Sequence, residues 1–301
     1  MTDESERRFA FIAVLGAPNV GKSTLINCLV GTKVTIVSPK VQTTRSLVRG
    51  IRIEEASQLV FVDTPGIFQP KRRLDRAMVA AAWSGAADAD TILLLVDAAE
   101  GLSKETAAIV EGLKKAGRKA ILVLNKIDRV KREKLLGLSA TLNESGLFTE
   151  TFMISALKGD GVGDLLRHLA QSAPVGPWMF PEDQISDLPA RLLASEITRE
   201  KLFLQLRQEL PYALTVTTES FKEREGGDIR IEQIVFVQRP SQKAIVLGEG
   251  GTRIKAVGTA AREELEELFG VRVHLFLHVK VRKDWLDNPE HYRDLGLDFG
   301  A

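Results

Sequence analysis

The stretch Gly16–Thr24, GAPNVGKST, constrains the fold of this chain more than any other. It matches G-x-x-x-x-G-K-[ST] in full, and it lies between an apolar run of strand length, FAFIAVL, and a helix-like run, LINCLVG. Glycine lets a backbone curl until several N–H groups face one point, which makes a cradle for an anion. A helix beginning at the cradle aims the positive end of its dipole at the same point. Gly16, Asn19, Val20 and Gly21 form the expected cradle. Lys22 supplies a point charge to the outer phosphates, Ser23 offers a hydroxyl to Mg²⁺, and Thr24 closes the motif. The loop holds phosphates; by itself it does not choose between adenine and guanine nucleotides.

Apolar runs alternate with helix-like ones as far as Gln171. VRGIRIE, QLVFVD, TILLLVD, KAILVLN and TFMIS follow the first strand, and most are continuously apolar, as strands buried on both faces are. The first two are expected to pair as an antiparallel hairpin at the sheet edge. The whole is an α/β phosphate-loop domain, a mostly parallel sheet with helices on both faces. Ligands of such sheets bind at the C-terminal ends of the strands, and three further motifs end strands there. DTPG, Asp63–Gly66, offers an acid for Mg²⁺, usually through water, and a bare Gly66 backbone for the γ-phosphate. NKID places Asn125, Lys126 and Asp128 together. Asp128 is a double acceptor for the N1–H and 2-amino group of guanine, and adenine offers neither donor there. SALKG sets backbone N–H groups at Ser155 and Ala156 toward the guanine oxygen. Where Ras-like enzymes carry a glutamine that orients the attacking water, this chain has Ile67, which can neither donate nor accept a proton. Slow intrinsic hydrolysis is expected.

Four prolines in APVGPWMFPEDQISDLP mark a linker over 174–189, between a domain at 1–173 and a smaller α+β domain at 190–301. The second is expected to open with a helix over 190–210, closed by Pro211. Two strands joined at Gly226-Gly227 follow, then a strand KAIVL, the G-x-x-G of Gly248–Gly251, a helix to Phe269 and a last strand, VRVHLFLHVKVR. In a K-homology fold such a loop clamps a nucleic-acid backbone, often single-stranded RNA. Glu249 and Gly250 form its middle, with Arg253 and Lys255 beside it. From Glu182 onward the chain has 17 basic and 21 acidic side chains, a net of −4, and the residues before carry 24 and 19, a net of +5. RNA binding here therefore needs a local basic patch. The alternate face of the last strand, Arg272, His274, Phe276, His278, Lys280 and Arg282, is either an ordinary solvent face or a second platform for RNA. Trp178 is expected to pack one domain onto the other, and Cys28 to fill space in the core. One cysteine excludes a disulfide framework and points to a reducing compartment. With a charged N-terminus and no apolar run of about 18 residues, a soluble cytoplasmic protein is expected.

The set GAPNVGKS, QTTR, DTPG, NKID and SALKG resembles the translation-factor-related bacterial GTPases, and the Era family most closely. The match covers nearly the whole chain, and the G-x-x-G domain resembles that family's C-terminal K-homology domain. The resemblance implies GTP hydrolysis to GDP coupled to assembly of the small ribosomal subunit, with GTP, GDP and small-subunit ribosomal RNA as partners. It also implies a monomer, with peripheral association at the inner membrane as a trait of the family. By the same resemblance Thr44, in QTTR, contacts Mg²⁺ and the γ-phosphate. Ser23, Thr44 and Asp63 then form the metal set, and Lys22, Thr44 and Gly66 act on the reacting phosphate. An asparagine at the place of Asn19 accompanies a bound K⁺ in related GTPases. A signalling GTPase whose second domain binds protein or membrane is the alternative reading.

Overall fold

The computed structural model describes residues 6–285 and 288–300. They form two compact units. One gathers the residues up to Thr35, Thr44–Asp187 and the residues from Leu295; the other gathers Ile36–Thr43 and Leu188–Asp294.

The first unit is built on a six-stranded sheet. Its strands are β1 (Arg8–Leu15), β2 (Val48–Glu54), β3 (Ser57–Asp63), β4 (Thr91–Asp97), β5 (Ala120–Asn125) and β6 (Phe148–Met153). Their spatial order is β2-β3-β1-β4-β5-β6. The β2–β3 pair is the expected antiparallel edge hairpin, and every other pair is parallel. Alternation along β1 sends Ile12 and Val14 into one core and Ala13 and Leu15 into another, so the sheet is buried on both faces. Helices α1 (Lys22–Val30) and α5 (Val162–Ser172) supply Leu25, Leu29, Leu165 and Leu169 to the first core. Helices α2 (Arg73–Ala87), α3 (Lys104–Lys115) and α4 (Arg132–Asn143) supply Ala82, Ile109, Leu113 and Leu135 to the second. Val14 lies opposite Asp63, and Asp97 opposite Asn125. This register brings the ends of the central strands to one edge of the sheet.

Residues 174–187 belong to this unit as an extended strip. The Phe9 N–H donates to Pro174 O at 3.0 Å, Ile51 N–H to Ile185 O at 2.9 Å, and Gly50 bridges Ser186, which blunts the β2 edge. Trp178 Nε1–H donates to Ala56 O at 3.1 Å, and the Arg7 guanidinium sits 4.6 Å over its ring. Trp178 thus secures the strip to the first unit. Cys28 is exposed. The buried stripe of α1 is Leu25, Ile26, Leu29 and Val30, and the thiol points off it.

In the second unit, helices α6 (Ala190–Gln205), α7 (Pro240–Leu247) and α8 (Thr252–Phe269) accompany a sheet of β7 (Leu214–Glu223), β8 (Ile229–Val237) and β9 (Val273–Val281), in that order. A short α9 (Pro289–Asp294) follows. β7 and β8 are antiparallel, and β8 and β9 parallel. The core joins Leu202, Leu214, Val216, Val235, Val246 and Val257, with Ile197, Ile231, Ala261 and Leu265 beside them. Two expectations are corrected. KAIVL is helical, because Pro240 starts a turn and the Gln242 side chain accepts the Arg239 N–H at 2.9 Å, capping it. Four apolar residues in a row have no period, so the cap decides. Helix α6 stops at Gln205, five residues early: Leu206 turns extended and is buried in the core, and Gln208 takes a left-handed backbone with φ 55°. No described helix is long and apolar enough to cross a membrane.

Candidate functional site

The GAPNVGKS loop joins β1 to α1, as its motif requires. Its glycines are fixed by crowding. A Cβ on Gly16 would lie 2.6 Å from Leu95 O, and one on Gly21, at φ 100°, would lie 2.5 Å from Asn125 Nδ2. Gly66 sits against the loop, where a Cβ would be 3.0 Å from Pro18 N and Cα. The Ile67 N–H donates to Gly16 O at 3.2 Å, while the Ile67 side chain is buried in the second core. Lys22 is buried, and its ammonium donates to Gly16 O at 3.1 Å and Ala17 O at 3.0 Å. Burial pushes its pKa down to about 8, with the Asp63 carboxylate pulling the other way. Thr24 lies half-buried on α1.

Oxygen atoms converge where α1 begins. Ser23 Oγ donates to Asp63 Oδ2 at 2.8 Å and lies 3.0 Å from Thr44 Oγ1, which is 3.1 Å from the same carboxylate oxygen. Thr35 Oγ1, on no motif, also donates to Asp63 Oδ2 at 2.7 Å. Asp63 is fully buried, which raises its pKa, while the hydrogen bond from Thr35, Lys22 and the other two hydroxyls oppose the shift. Its Oδ1 is buried with no hydrogen-bond partner among the described residues. A cluster of hydroxyl and carboxylate oxygens with an orphaned carboxylate atom suits a hard cation such as Mg²⁺. Among the described residues no group of three His, Cys, Asp or Glu side chains is placed to hold a metal.

At the ends of β4 and β5, Asn125 acts as a brace. Its Nδ2 donates to Val20 O at 2.8 Å, and its Oδ1 accepts the Ala156 N–H at 2.9 Å, which ties the phosphate loop to SALKG. The Ala156 N–H is thus committed to the brace here, and meeting a guanine oxygen requires handing it over. Lys126 takes a left-handed backbone, φ 64°, and its ammonium donates to Asn19 O at 2.7 Å and Asp97 Oδ2 at 2.6 Å. Asp97 lies on none of the motifs, although an acid that ends an apolar strand at this edge is a usable signal. Asp128 is exposed, and Ser155 Oγ donates to its Oδ1 at 2.7 Å. That hydrogen bond holds the Asp128 carboxyl below the usual carboxylate range, so it stands ionised as an acceptor.

In the second unit, Gly248–Gly251 links α7 to α8. Gly248 has φ 73°, and a Cβ there would lie 2.9 Å from Arg253 Cβ. Gly250 (φ 57°) and Gly251 (φ 79°) have nothing within 4 Å of such an atom. Glu249, Gly250 and Lys255 are exposed. Arg253 Nη1 donates to Ile245 O, and the side chain borders a cleft of ≈ 570 Å³ lined also by Arg207, Gln208 and Gln242. On β9, Phe276, His278 and Lys280 are exposed, whereas His274 meets Asp228 at 3.1 Å.

A phosphate loop, a DTPG corner and the NKID–SALKG pair at one sheet edge define a guanine-nucleotide-binding phosphate-loop domain, followed in this chain by a G-x-x-G α+β unit. Comparison with known families agrees: residues 11–126 match the model of a 50S ribosome-binding GTPase, and residues 209–286 match the KH domain. The chain is 59% identical to GTPase Era of Rhizobium meliloti over 97% of its own length and 93% of that protein's. It is 58% identical to GTPase Era of Brucella suis over 99% and 96%. A crystal structure of Era in complex with MgGDPNP and nucleotides 1506–1542 of 16S ribosomal RNA superposes with a TM-score of 0.91. Its sequence is 40% identical, and the match covers 96% of this chain and 99% of that one. The chain belongs to the Era family of GTPases.

Proposed function

We propose that this GTPase is a switch that binds small-subunit ribosomal RNA through its second unit and assists assembly of the small ribosomal subunit. The observation that carries the reading is the convergence of Ser23, Thr44 and Asp63 oxygens at the phosphate loop, on the sheet edge that also presents Asp128 and Ser155. Ser23 and Thr44 would hold Mg²⁺ directly, and Asp63 through water. When bound, the ion neutralises charge on the β- and γ-phosphate oxygens. Lys22 exchanges its bonds to Gly16 and Ala17 carbonyls for phosphate oxygens, and the Gly66 backbone meets the γ-phosphate. Asn125 and Lys126 keep the base-reading loop in register with the phosphate loop, and Asp128 accepts both guanine donors. The buried Ile67 leaves the water unoriented from that position, which supports slow basal turnover.

The relative solved with MgGDPNP and nucleotides 1506–1542 of 16S RNA supports Mg²⁺ and RNA as ligands of this chain. The exposed Glu249–Gly250 tip of the G-x-x-G loop, with Arg253 and Lys255 beside it, is the proposed RNA contact. Monomeric action in the cytoplasm, with peripheral contact at the inner membrane, rests on the family resemblance. The test is binding of that RNA segment to the full chain loaded with GDPNP or GDP. RNA affinity is expected to differ between the two states, and RNA is expected to shift nucleotide affinity reciprocally. No binding in either state would sink the RNA reading and leave a GTPase whose second unit serves protein or membrane. Asn19, exposed on the rim of the loop, is the proposed K⁺ partner. Turnover in K⁺ is then expected to exceed turnover in Na⁺ at matched ionic strength, and equal rates would leave Asn19 as a loop former.

A further inference from the structure

Helix α6 buries charge where a helix packed on a small core ordinarily buries only apolar groups. Thr198, Arg199 and Glu200 are 0%, 1% and 3% exposed, alongside the apolar Ile197, Leu202 and Phe203. Adjacent buried charges are costly unless each finds a partner. Arg199 pairs with Glu196 and Glu200 with Lys201, and both also reach the loop Ile36–Thr43, which groups with this unit although it lies far away in sequence. Glu200 Oε1 accepts the Val37 N–H at 2.7 Å, near one end of the loop. Arg199 Nη2 donates to Thr43 O at 2.5 Å, at the other end, while its Nε is held by Glu196 at 2.8 Å. Lys40 adds a bond to Phe203 O. The loop is braced internally as well: Ser38 Oγ and Thr43 Oγ1 are 2.6 Å apart, and Thr43 Oγ1 donates to Lys40 O at 2.7 Å. A carboxylate thus grips a backbone donor and a guanidinium grips a backbone acceptor. The residue after the gripped carbonyl is Thr44, whose hydroxyl is 3.0 Å from Ser23 and 3.1 Å from Asp63.

We propose that Arg199 and Glu200 are positioning residues of the GTPase reaction, which hold the 36–43 loop so that Thr44 is preset at the metal and γ-phosphate position. The inference rests on the reading of Thr44 given above. Thr44 meets its ligand only in the triphosphate state, so loosening the loop weakens GTP binding and turnover and spares GDP. The helix that opens the second unit then takes part in how the nucleotide state is read.

The test uses the full chain with Glu200→Ala, Glu200→Gln and Arg199→Lys, and with Thr44→Ala as the control. A charge-assisted hydrogen bond sets the scale, so Glu200→Ala is expected to lower GDPNP affinity and kcat about tenfold while GDP affinity stays within about twofold. The amide of Gln still accepts the Val37 N–H, so Glu200→Gln is expected to restore most of both. Lysine cannot hold Glu196 and the Thr43 carbonyl together, so Arg199→Lys is expected to behave like Glu200→Ala. Equal losses for GDP and GDPNP in Glu200→Ala would make the contact merely structural and overturn the inference, as would no loss at all. Thr44→Ala that discriminates GDPNP from GDP as the native chain does would overturn the reading of Thr44 itself. A loss in Thr44→Ala with none in Glu200→Ala would overturn only the role given to α6.

Discussion

Two glycine loops serve this chain, and they are built on opposite principles. In the phosphate loop the glycines are demanded by the protein: at Gly16 and Gly21 a methyl group would strike Leu95 O or Asn125 Nδ2 at 2.6 and 2.5 Å. In the G-x-x-G loop Gly248 is crowded by Arg253, but Gly250 and Gly251 face open space, with only their positive φ to explain them. The first loop's backbone is set by the protein's own packing. Its lysine is buried, its carbonyls are paired and its neighbours are locked by the Asn125 brace. The second loop leaves bare backbone at Gly250 and Gly251, which suits the proposed RNA contact. Crowding explains the glycines of the phosphate loop, and backbone conformation explains Gly250 and Gly251 of the second.

The largest break in that comparison is Gly21→Ala. A left-handed backbone costs a non-glycine residue about 1–2 kcal/mol, and overpacking adds about 1–3. The new methyl would also push Asn125 off Val20. Nucleotide affinity is expected to fall about 100-fold or more, with a lowered midpoint in thermal unfolding. A stable variant with native affinity would show that the crowding is not what fixes the loop.

Asp128→Asn should come next. An amide in place of the carboxylate puts a donor against guanine's donors, so GTP affinity is expected to drop about 100-fold. Xanthine nucleotide, whose 2-oxo group accepts, should gain. Competition binding with GTP, XTP and ATP measures this, and native-level binding of ATP by the unaltered chain would refute the base-reading role.

The smallest effect belongs to the open loop. Replacing Glu249 and Gly250 together by aspartate adds negative charge where RNA phosphate would approach. A like-charge pair at 4 Å costs about 1–4 kcal/mol between bulk water and an effective dielectric near 20. RNA affinity is expected to fall about tenfold, with basal GTP hydrolysis close to native and a small loss of thermal stability from the left-handed position of Gly250. Unchanged RNA binding would move the interface to the exposed face of Phe276, His278 and Lys280 on β9.

The motif-bearing half of the site was legible because each motif is a short contiguous run at the end of an apolar strand. The sheet places those ends along one edge, so Lys22, Asp63, Asn125 and Asp128 could be gathered without a structure. The double role of Asn125 could not, because its partners Val20 and Ala156 are chosen by loop geometry rather than by spacing. Thr35 was invisible for the same reason. KAIVL was misread because a short apolar run fits strand or helix equally well, and the deciding cap lies outside it at Arg239 and Gln242. The division of the chain near Thr43 had no signal at all, since it depends on buried charges 156 and 163 residues further on.

That last separation has a consequence for how the protein is made. Val37 leaves the ribosome 163 residues ahead of Glu200. At synthesis rates of about 5–20 residues per second, the loop waits roughly 8–33 s before its anchoring helix exists. The phosphate loop precedes Val37, and β3 and the strands that carry NKID and SALKG emerge within that interval. Each newborn chain therefore passes through a period in which all its nucleotide-binding motifs have been made and the 36–43 loop has no anchoring helix to hold it, and the order of translation sets when that loop is fastened.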